Sequence, residues 1–384
     1  MKLLTKPISL ILIILMFFII AINAYGLTIK ETELELNGKS AILIDASTGT
    51  VLYEKNADVK LFPASVTKIM TLLLVFEAIE EGKLNYDDII ATSENAASMG
   101  GSQIFLEPGE KMSVTDLIKS VVIASANDAA LTLAEHVMGS EEEFVNAMNE
   151  KAELLGMKNT NFENVTGLDD NTDSHLTTAR DIAIMSRELL KHEKISEFTT
   201  IWMDTIRNGQ FGLTNTNRLI RFYKGITGLK TGSTSKAGFC ISASAKRNDT
   251  HLIGVIMGAE SSDLRNASVA KLLDFGFANY STYTNDFFKT GKVTVYGGKS
   301  DFVETSSEKF EALVNKGNEK RIDYKIELNE YVDAPVKKGD VVGKVIYLLD
   351  GVKIGENPVV CDYEVEKIEF WEFVGLILRK TFLK

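Results

Sequence analysis

The stretch F-P-A-S-V-T-K-I-M-T-L-L-L-V-F-E-A, residues 62–78, contains a serine and a lysine in the spacing S-x-x-K, followed directly by a run of apolar residues. Apolar residues at helical spacing predict a helix over residues 69–80. Ser65 lies where this helix opens, just after Pro63, so the helix dipole and free backbone N–H groups surround it. The spacing S-x-x-K puts Ser65 and Lys68 one turn apart on the same face. A serine beside a lysine base is one route to an activated nucleophile.

A histidine base is not indicated, because no histidine accompanies a G-x-S-x-G elbow. The S-x-x-K pattern itself occurs four times, at Ser65/Lys68, Ser233/Lys236, Ser268/Lys271 and Ser306/Lys309. Its known companions are S-x-N and then K-T-G, in that chain order. S-x-N occurs at Ser93-Glu94-Asn95 and Ser125-Ala126-Asn127, and both copies precede every S-x-x-K except the first. Order therefore selects Ser65.

Context chooses between the two copies of S-x-N. Ser125-Ala126-Asn127 lies between two apolar helical patterns, so it predicts a buried turn that aims Ser125 and Asn127 into a cleft. Helix capping by either residue is the alternative. Ser93-Glu94-Asn95 lies in a polar stretch and predicts a surface turn.

Context also chooses between two copies of K-T-G. Lys230-Thr231-Gly232 leads through S-T-S-K-A-G into the apolar strand F-C-I-S-A-S-A. Lys289-Thr290-Gly291 opens a later β-rich region, where Thr-Gly is typical of a turn between strands. We therefore predict that Lys230 is the second cation beside Lys68.

Together these motifs resemble a known family. P-A-S-V-T-K, S-A-N-D-A-A and G-L-K-T-G-S-T are similar to the three motifs of the serine-type D-alanyl-D-alanine carboxypeptidases, low-molecular-mass penicillin-binding proteins of the peptidase S11 family. N-V-T-G-L-D and H-L-T-T-A-R-D add to the resemblance, which covers most of residues 27–280.

The resemblance implies a mechanism. Ser65 would attack the carbonyl of a peptidoglycan stem peptide ending in D-Ala-D-Ala, and β-lactam antibiotics would acylate the same serine. Lys68, held neutral by desolvation and a second cation at Lys230, would take the serine proton. Ser125 would relay a proton to the leaving amine, and Asn127 would hold Lys68 and the substrate amide.

The resemblance also implies substrate-binding residues: Lys230, Thr231, Gly232, Ser233, Thr234 and Arg265. Backbone N–H groups of Ser65 and Ser233 would form the oxyanion hole. Gly232 has no side chain, so substrate can lie along its strand as an added edge. Arg265 would bind the terminal carboxylate, with an ordinary surface ion pair as the alternative.

Strand patterns at both ends of residues 27–282, with helical patterns between them, predict an α/β domain. The resemblance makes it a serine β-lactamase/transpeptidase-like fold, with an antiparallel sheet and a helical subdomain. Residues 283–366 predict a small all-β domain, with a hairpin at Asp350-Gly351. Residues 367–384 predict an amphipathic helix that lies on a membrane surface. A helix docked on the protein's own surface is the alternative.

Residues 1–26 have the layout of a signal peptide cleaved after Ala24 or Gly26, with a retained anchor as the alternative. We therefore predict an exported, peripheral protein on the outer face of the cytoplasmic membrane. The net charge of −11 argues against a nucleic-acid partner. The sequence predicts no cofactor and no metal. It has two cysteines, Cys240 and Cys361, and we predict that both are unpaired thiols.

Two other functions compete. A secreted class A β-lactamase shares the three motifs but needs a glutamate to activate water. The string E-x-x-L-N occurs at Glu33–Asn37, before the nucleophile, whereas the lactamase glutamate follows S-x-N. A non-catalytic cell-wall binding protein would have lost a motif side chain, and none is lost.

Overall fold

The apolar stretch after Ser65 forms the central helix of the first unit. The computed structural model describes residues 27, 29, 32–170 and 172–382, and the predicted signal peptide, residues 1–26, lies outside the described residues. Helix α1, Lys68–Glu80, buries ten of its thirteen residues. A helix that is apolar all round is expected in the interior of a domain, so α1 lies within the main hydrophobic core.

The other elements of the first unit, Ile29–Tyr280, follow the predicted order. The strands are β1 Ser40–Asp45, β2 Val51–Lys55, β3 Ile89–Ala91, β4 Lys111–Ser113, β5 Met203–Ile206, β6 Phe211–Thr214, β7 Ile226–Thr234, β8 Gly238–Arg247 and β9 Thr250–Ala259. The helices after α1 are α2 Glu94–Ala97, α3 Val114–Lys119, α4 Asn127–Met138, α5 Glu141–Leu154, α6 Ala179–Leu189, α7 Ile195–Thr199, α8 Leu219–Phe222 and α9 Ser262–Asn279. Ala64–Thr67 is a 3-10 turn and Ser120–Ala124 a π turn.

The main sheet is antiparallel and has the order β2-β1-β9-β8-β7. Strands from both ends of the unit therefore pair, as predicted. Helices cover both faces: Ser186 of α6 hydrogen-bonds Ser242 of β8 at 2.7 Å. On α9, Gly276 lies so close to the sheet that a Cβ there would meet Leu252 at 2.4 Å. The two central strands are therefore buried on both faces: six consecutive residues are buried in each, 240–245 in β8 and 252–257 in β9.

Local sequence explains where several helices begin. Ser140 precedes α5, and its hydroxyl accepts a hydrogen bond from the backbone N–H of Glu143. Three glutamates follow Ser140 in the first turn, where the helix dipole favours negative charge. The chain reaches this cap through Gly139, whose φ of 86° ends α4 in the left-handed region.

The second unit begins at Ser281 and is all β before its last helix. Its strands are β10 Tyr280–Asn285, β11 Phe288–Tyr296, β12 Phe302–Ser307, β13 Phe310–Asn315, β14 Ile322–Leu328, β15 Tyr331–Asp333, β16 Val341–Leu349 and β17 Val352–Cys361. A 3-10 turn spans Glu319–Arg321, and α10 spans Phe370–Phe382. Six strands form one sheet in the order β14-β16-β17-β12-β11-β15, and β10 pairs with β13.

The predicted hairpin is confirmed at the turn between β16 and β17. Asp350 and Gly351 both have positive φ, 50° and 83°, as a type I′ turn requires. The fold class predicted from the sequence is therefore confirmed: an α/β domain with an antiparallel sheet and a helical part, followed by an all-β domain. The exact domain limits at residues 27, 283 and 367 stay predictions.

One local prediction is wrong. Lys289-Thr290-Gly291 lies within β11 and not in a turn between strands. The ladder to β12 is irregular between Lys289 and Gly291, which is the signature of a bulge. Thr290 pairs its hydroxyl with that of Thr305 at 2.8 Å. A Thr-Gly pair suits a bulge as well as a turn, so residue type alone did not distinguish them.

Candidate active site

The candidate nucleophile Ser65 is the second residue of the 3-10 turn that precedes α1. The first N–H groups of such a turn have no partner within it, so the backbone around Ser65 presents donors. Ala64 has a φ of 49°, in the left-handed region that costs a residue with a Cβ free energy. Lys68 follows one turn later, is fully buried, and places Nζ 3.0 Å from Ser65 Oγ.

Two further oxygens hold the Lys68 amine. Its Nζ lies 2.6 Å from Asn127 Oδ1 and 2.9 Å from the backbone oxygen of Thr166. A neutral amine has two N–H groups and one lone pair. Donation to Asn127 and Thr166 would therefore leave the lone pair of a neutral Lys68 directed at the Ser65 hydroxyl, an arrangement that suits a base.

Electrostatics favour the neutral amine. Burial, and then the charge of Lys230, hold the pKa of Lys68 well below that of an ordinary lysine, while Asp128 acts in the opposite direction. Burial also lowers the pKa of Lys230 to about 7, and Arg265 adds to that shift. Burial thus favours the neutral form of both amines, and the charge of a protonated Lys230 further disfavours a proton on Lys68.

Lys230 reaches the site from β7. Its Nζ donates to Ser125 Oγ at 2.7 Å and to the backbone oxygen of Thr231 at 2.9 Å. Ser125 has a φ of 62° in the turn between Ser120–Ala124 and α4. The predicted buried inter-helix turn is therefore present, and it brings Ser125 and Asn127 beside the two lysines.

Strand β7 runs directly against the 3-10 turn Ala64–Thr67, here called the nucleophile turn because it carries the candidate nucleophile Ser65. A Cβ on Gly232 would lie 2.7 Å from the backbone nitrogen of Ser65 and 2.9 Å from that of Val66, closer than any side chain allows. β7 is the last strand of its sheet, and its other edge pairs with no strand in the described part of the chain. The adjacent Ser233 is exposed, so this edge is open to an extended ligand.

A cleft of about 390 Å³ lies over these groups. Its lining includes Ser65, Ser125, Thr216, Thr231, Ser233 and Arg265. Arg265 is 5% exposed and forms no salt bridge with any described residue, which argues against the surface ion-pair hypothesis. Its Nε and Nη2 donate to Asn266 Oδ1 at 3.1 and 3.0 Å. A buried cation without a carboxylate partner suits an anionic ligand.

Thr234 differs from the other predicted substrate-binding residues. Its hydroxyl donates to the carboxylate of Asp169 and accepts from the backbone N–H of Ala237 at 3.0 Å. It is not among the residues that line the cleft. The structure therefore places Thr234 in a contact that holds the turn after β7.

The second copies of the motifs lie elsewhere. Lys289 is exposed and pairs with Asp362 at 2.7 Å. Ser93 caps α2 and does not lie in a surface turn as predicted, because its hydroxyl accepts from the backbone N–H of Ala96 at 2.9 Å and donates to Glu135.

Sequence reasoning assigned no role to the loop that supplies the Thr166 oxygen. Asn164 Oδ1 accepts from the backbone N–H groups of Thr166 and Gly167 at 3.1 and 2.7 Å, which is an Asx turn. The string N-V-T-G contains the residues that such a turn needs. That string was the signal for a tight loop, although it does not say which carbonyl meets Lys68.

Comparisons with known proteins show which family the chain resembles. A family model described as D-alanyl-D-alanine carboxypeptidase matches residues 27–261, and one described as Penicillin-binding protein 5, C-terminal domain matches residues 277–367. D-alanyl-D-alanine carboxypeptidase DacF of Bacillus subtilis is 46% identical over 354 residues, 90% of each chain. DacC of Escherichia coli is 34% identical over 381 residues, covering 95% of this chain and 94% of its own.

Many solved structures share the architecture, and two of them illustrate it. Penicillin-binding protein 5 from Haemophilus influenzae has a TM-score of 0.72 and 31% identity, covering 88% of this chain and all of its own. Penicillin-binding protein D2 from Listeria monocytogenes in its ampicillin-bound form has a TM-score of 0.59 and 32% identity. It covers 64% of this chain and all of its own.

Proposed function

The chain belongs to the D-alanyl-D-alanine carboxypeptidase family of serine peptidases, peptidase S11, and has that activity, and on this premise we propose that Ser65 is its nucleophile. The observation that carries the assignment is the contact of 3.0 Å between Ser65 Oγ and the buried amine of Lys68. As Ser65 Oγ attacks the carbonyl carbon of the penultimate D-Ala, its proton passes to Lys68 Nζ.

Collapse of the tetrahedral intermediate breaks the C–N bond and releases the terminal D-Ala. The leaving amine needs a proton, and Ser125 supplies it from the Lys230 ammonium, to which it is bonded at 2.7 Å. Water then attacks the ester carbon and the bond from that carbon to Ser65 Oγ breaks. Lys68 returns its proton to Oγ, and a proton from the water restores the Lys230 ammonium, which gives the shortened peptide and the free enzyme. A β-lactam acylates the same oxygen, with its ring nitrogen in place of the leaving amine.

The groups around the cleft are proposed to bind three parts of the substrate: the reacting carbonyl, the extended backbone and the terminal carboxylate. The backbone N–H groups of Ser65 and Ser233 form the oxyanion hole, and Gly232 allows the peptide to pair with the free edge of β7. The terminal carboxylate is bound by the buried guanidinium of Arg265 together with Thr231, whose hydroxyl lies 2.7 Å from that of Thr216. The positive charge of Lys230 also attracts this carboxylate. Thr234 contributes indirectly, because its hydrogen bonds to Asp169 and Ala237 hold the turn after β7 in place.

Purified protein incubated with a peptide ending in D-Ala-D-Ala is expected to release D-Ala, and with penicillin to form a long-lived covalent adduct. Slow deacylation is expected because no glutamate lines the described part of the cleft, so no carboxylate is placed to activate water as in a class A β-lactamase. Released D-Ala and intact-protein mass are the measurements. Rapid penicillin turnover would favour the lactamase, and binding without D-Ala release or adduct would favour the cell-wall binding protein.

The site of action is proposed from the substrate. Because peptidoglycan lies outside the cytoplasm, the protein acts as an exported enzyme on the outer face of the cytoplasmic membrane. No helix in the described residues is long and apolar enough to cross a bilayer. Helix α10 instead exposes large apolar side chains, with Phe370 70%, Trp371 79% and Leu378 51% exposed. We propose that this face holds the protein peripherally on the membrane.

Replacing both Phe370 and Trp371 with serine in the full chain is expected to weaken binding to phospholipid vesicles by about 100-fold or more, because each buried aromatic contributes roughly 1.5–3 kcal/mol. Co-sedimentation with the vesicles measures the effect. Phe287→Ser is the matched control, since Phe287 is a 58% exposed aromatic outside α10. Unchanged sedimentation of the double variant would favour a helix docked on the protein itself.

A further inference from the structure

His175 lies beneath the nucleophile turn and has no role in the mechanism above. Its ring is 1% exposed, and its edge packs on Phe162 with the ring centroids 5.7 Å apart. Nε2 lies 2.8 Å from the hydroxyl oxygen of Thr67, and Nδ1 accepts the backbone N–H of Glu163 at 3.0 Å. Thr67 is the residue directly before Lys68. His175 therefore links the nucleophile turn, through Thr67, to the loop that begins at Glu163.

These two contacts define the form of the ring. A backbone N–H only donates, so Nδ1 of His175 carries no hydrogen. A neutral imidazole then carries its hydrogen on Nε2, which donates to Thr67 Oγ1. Burial lowers the pKa of His175 to about 4, so this neutral form persists at neutral pH.

The segment that begins at Glu163 carries the carbonyl that holds Lys68. Thr71 of α1 donates to the backbone oxygen of Val165 at 2.6 Å, and Lys68 donates to that of Thr166 at 2.9 Å. At Gly167, a Cβ would lie 1.8 Å from the backbone oxygen of Ala64 and 2.7 Å from Thr67 Oγ1. The loop of residues 163–167 thus lies directly against the turn that carries Ser65, and His175 closes one end of that contact.

We propose that neutral His175 is a positioning residue for Lys68: it ties the loop of residues 163–167 to the nucleophile turn, so that the Thr166 carbonyl keeps the Lys68 amine aimed at Ser65. The proposal rests on the assignment of Ser65 and Lys68 given above. Without the tie, the carbonyl moves away from the amine, and the Lys68 lone pair spends less time toward the Ser65 hydroxyl. The acylation step slows, whereas binding of the ligand before that step, which uses the cleft walls, does not change.

Four variants separate this role from simple core filling. His175→Phe retains the ring and loses both hydrogen bonds. His175→Gln retains a polar group near the position of Nε2, and His175→Asn retains one near the position of Nδ1. Thr67→Val removes the oxygen that Nε2 contacts while keeping the shape of the side chain. The double variant of Thr67→Val and His175→Phe tests whether the two residues act through one contact.

Rapid-mixing kinetics with a fluorescent penicillin give the limiting acylation rate and the dissociation constant of the first complex, and thermal unfolding gives Tm. We expect His175→Phe to lower the limiting rate about 10- to 100-fold, with the dissociation constant changed by less than about threefold. Thr67→Val lowers the same rate, the double variant is no slower than the slower single variant, and Asn or Gln recovers part of the loss.

A lower Tm with the limiting rate of wild type, in His175→Phe or in Thr67→Val, would overturn the proposal, as would fully additive losses of rate in the double variant. If His175→Phe does not fold, Thr67→Val decides the question by itself. Failure of the wild type to acylate or to release D-Ala would instead overturn the assigned function, so the two failures are distinguishable.

Discussion

Ser65→Ala is expected to lose covalent penicillin labelling completely and D-Ala release by at least about 10,000-fold, because the acyl-enzyme needs the serine oxygen. Labelling on a denaturing gel and a D-Ala assay measure the two activities.

Ser268→Ala is the matched control for this prediction. Ser268 also belongs to an S-x-x-K pattern, but its hydroxyl accepts the backbone N–H of Asn37 at 2.8 Å, and the Nζ of its partner Lys271 donates to the backbone oxygen of Glu35. Activity within about twofold of wild type is expected once folding is verified by Tm. Labelling that survives in Ser65→Ala would contradict the mechanism.

Lys230→Ala is expected to lower the acylation rate about 100- to 1,000-fold, as the loss of a preorganised charge at a reaction centre does. Two effects combine. The leaving amine loses the proton that Ser125 relays, and Lys68 loses the neighbouring charge that contributes to its lowered pKa. Lys289→Ala removes the lysine of the other K-T-G, and its acylation rate is expected to stay within about twofold of the wild-type rate. Equal losses in the two variants would overturn the choice of Lys230.

The pH dependence of acylation tests the same assignment with Lys230→Arg. The reaction needs Lys68 neutral, so its rate rises as pH passes the lowered pKa of Lys68. It also needs Lys230 protonated, so the rate falls again as pH passes the pKa of Lys230, which burial lowers to about 7. A guanidinium keeps its charge at higher pH, so the falling limb is expected to move upward in Lys230→Arg. A limb that stays in place would mean that another group titrates there.

The sequence predicted the elements that repeat a local pattern. The helix predicted at residues 69–80 differs from α1 by one residue at its start, and the predicted hairpin turn lies at Asp350-Gly351 as expected. Both predictions succeeded because hydrophobic periodicity and turn chemistry are properties of neighbouring residues. Motif order also selected the residues that the structure gathers around one cleft. Five of them, from Ser65 to Lys230, come from three separate segments of the chain.

Long-range contacts were not predictable in the same way. The acceptor opposite Lys68 is the backbone oxygen of Thr166, 98 residues away, and every residue type offers a carbonyl. The contact of Thr234 with Asp169, 65 residues away, also depends on how two loops meet. Lys289 was misassigned to a turn because Thr-Gly suits both a turn and a bulge, and only the pairing partner in β12 decides between them.

The free edge of β7 has a consequence for what the enzyme leaves intact. An edge strand accepts only a backbone that is extended and has its own N–H and C=O groups unpaired. Gly232 brings that edge to within contact distance of Ser65, so under the binding mode proposed above a chain that pairs with the edge lies extended beside the nucleophile. Folded proteins, whose backbones are already engaged in helices and sheets, are therefore not expected to bind in that way, whereas an unstructured peptide is.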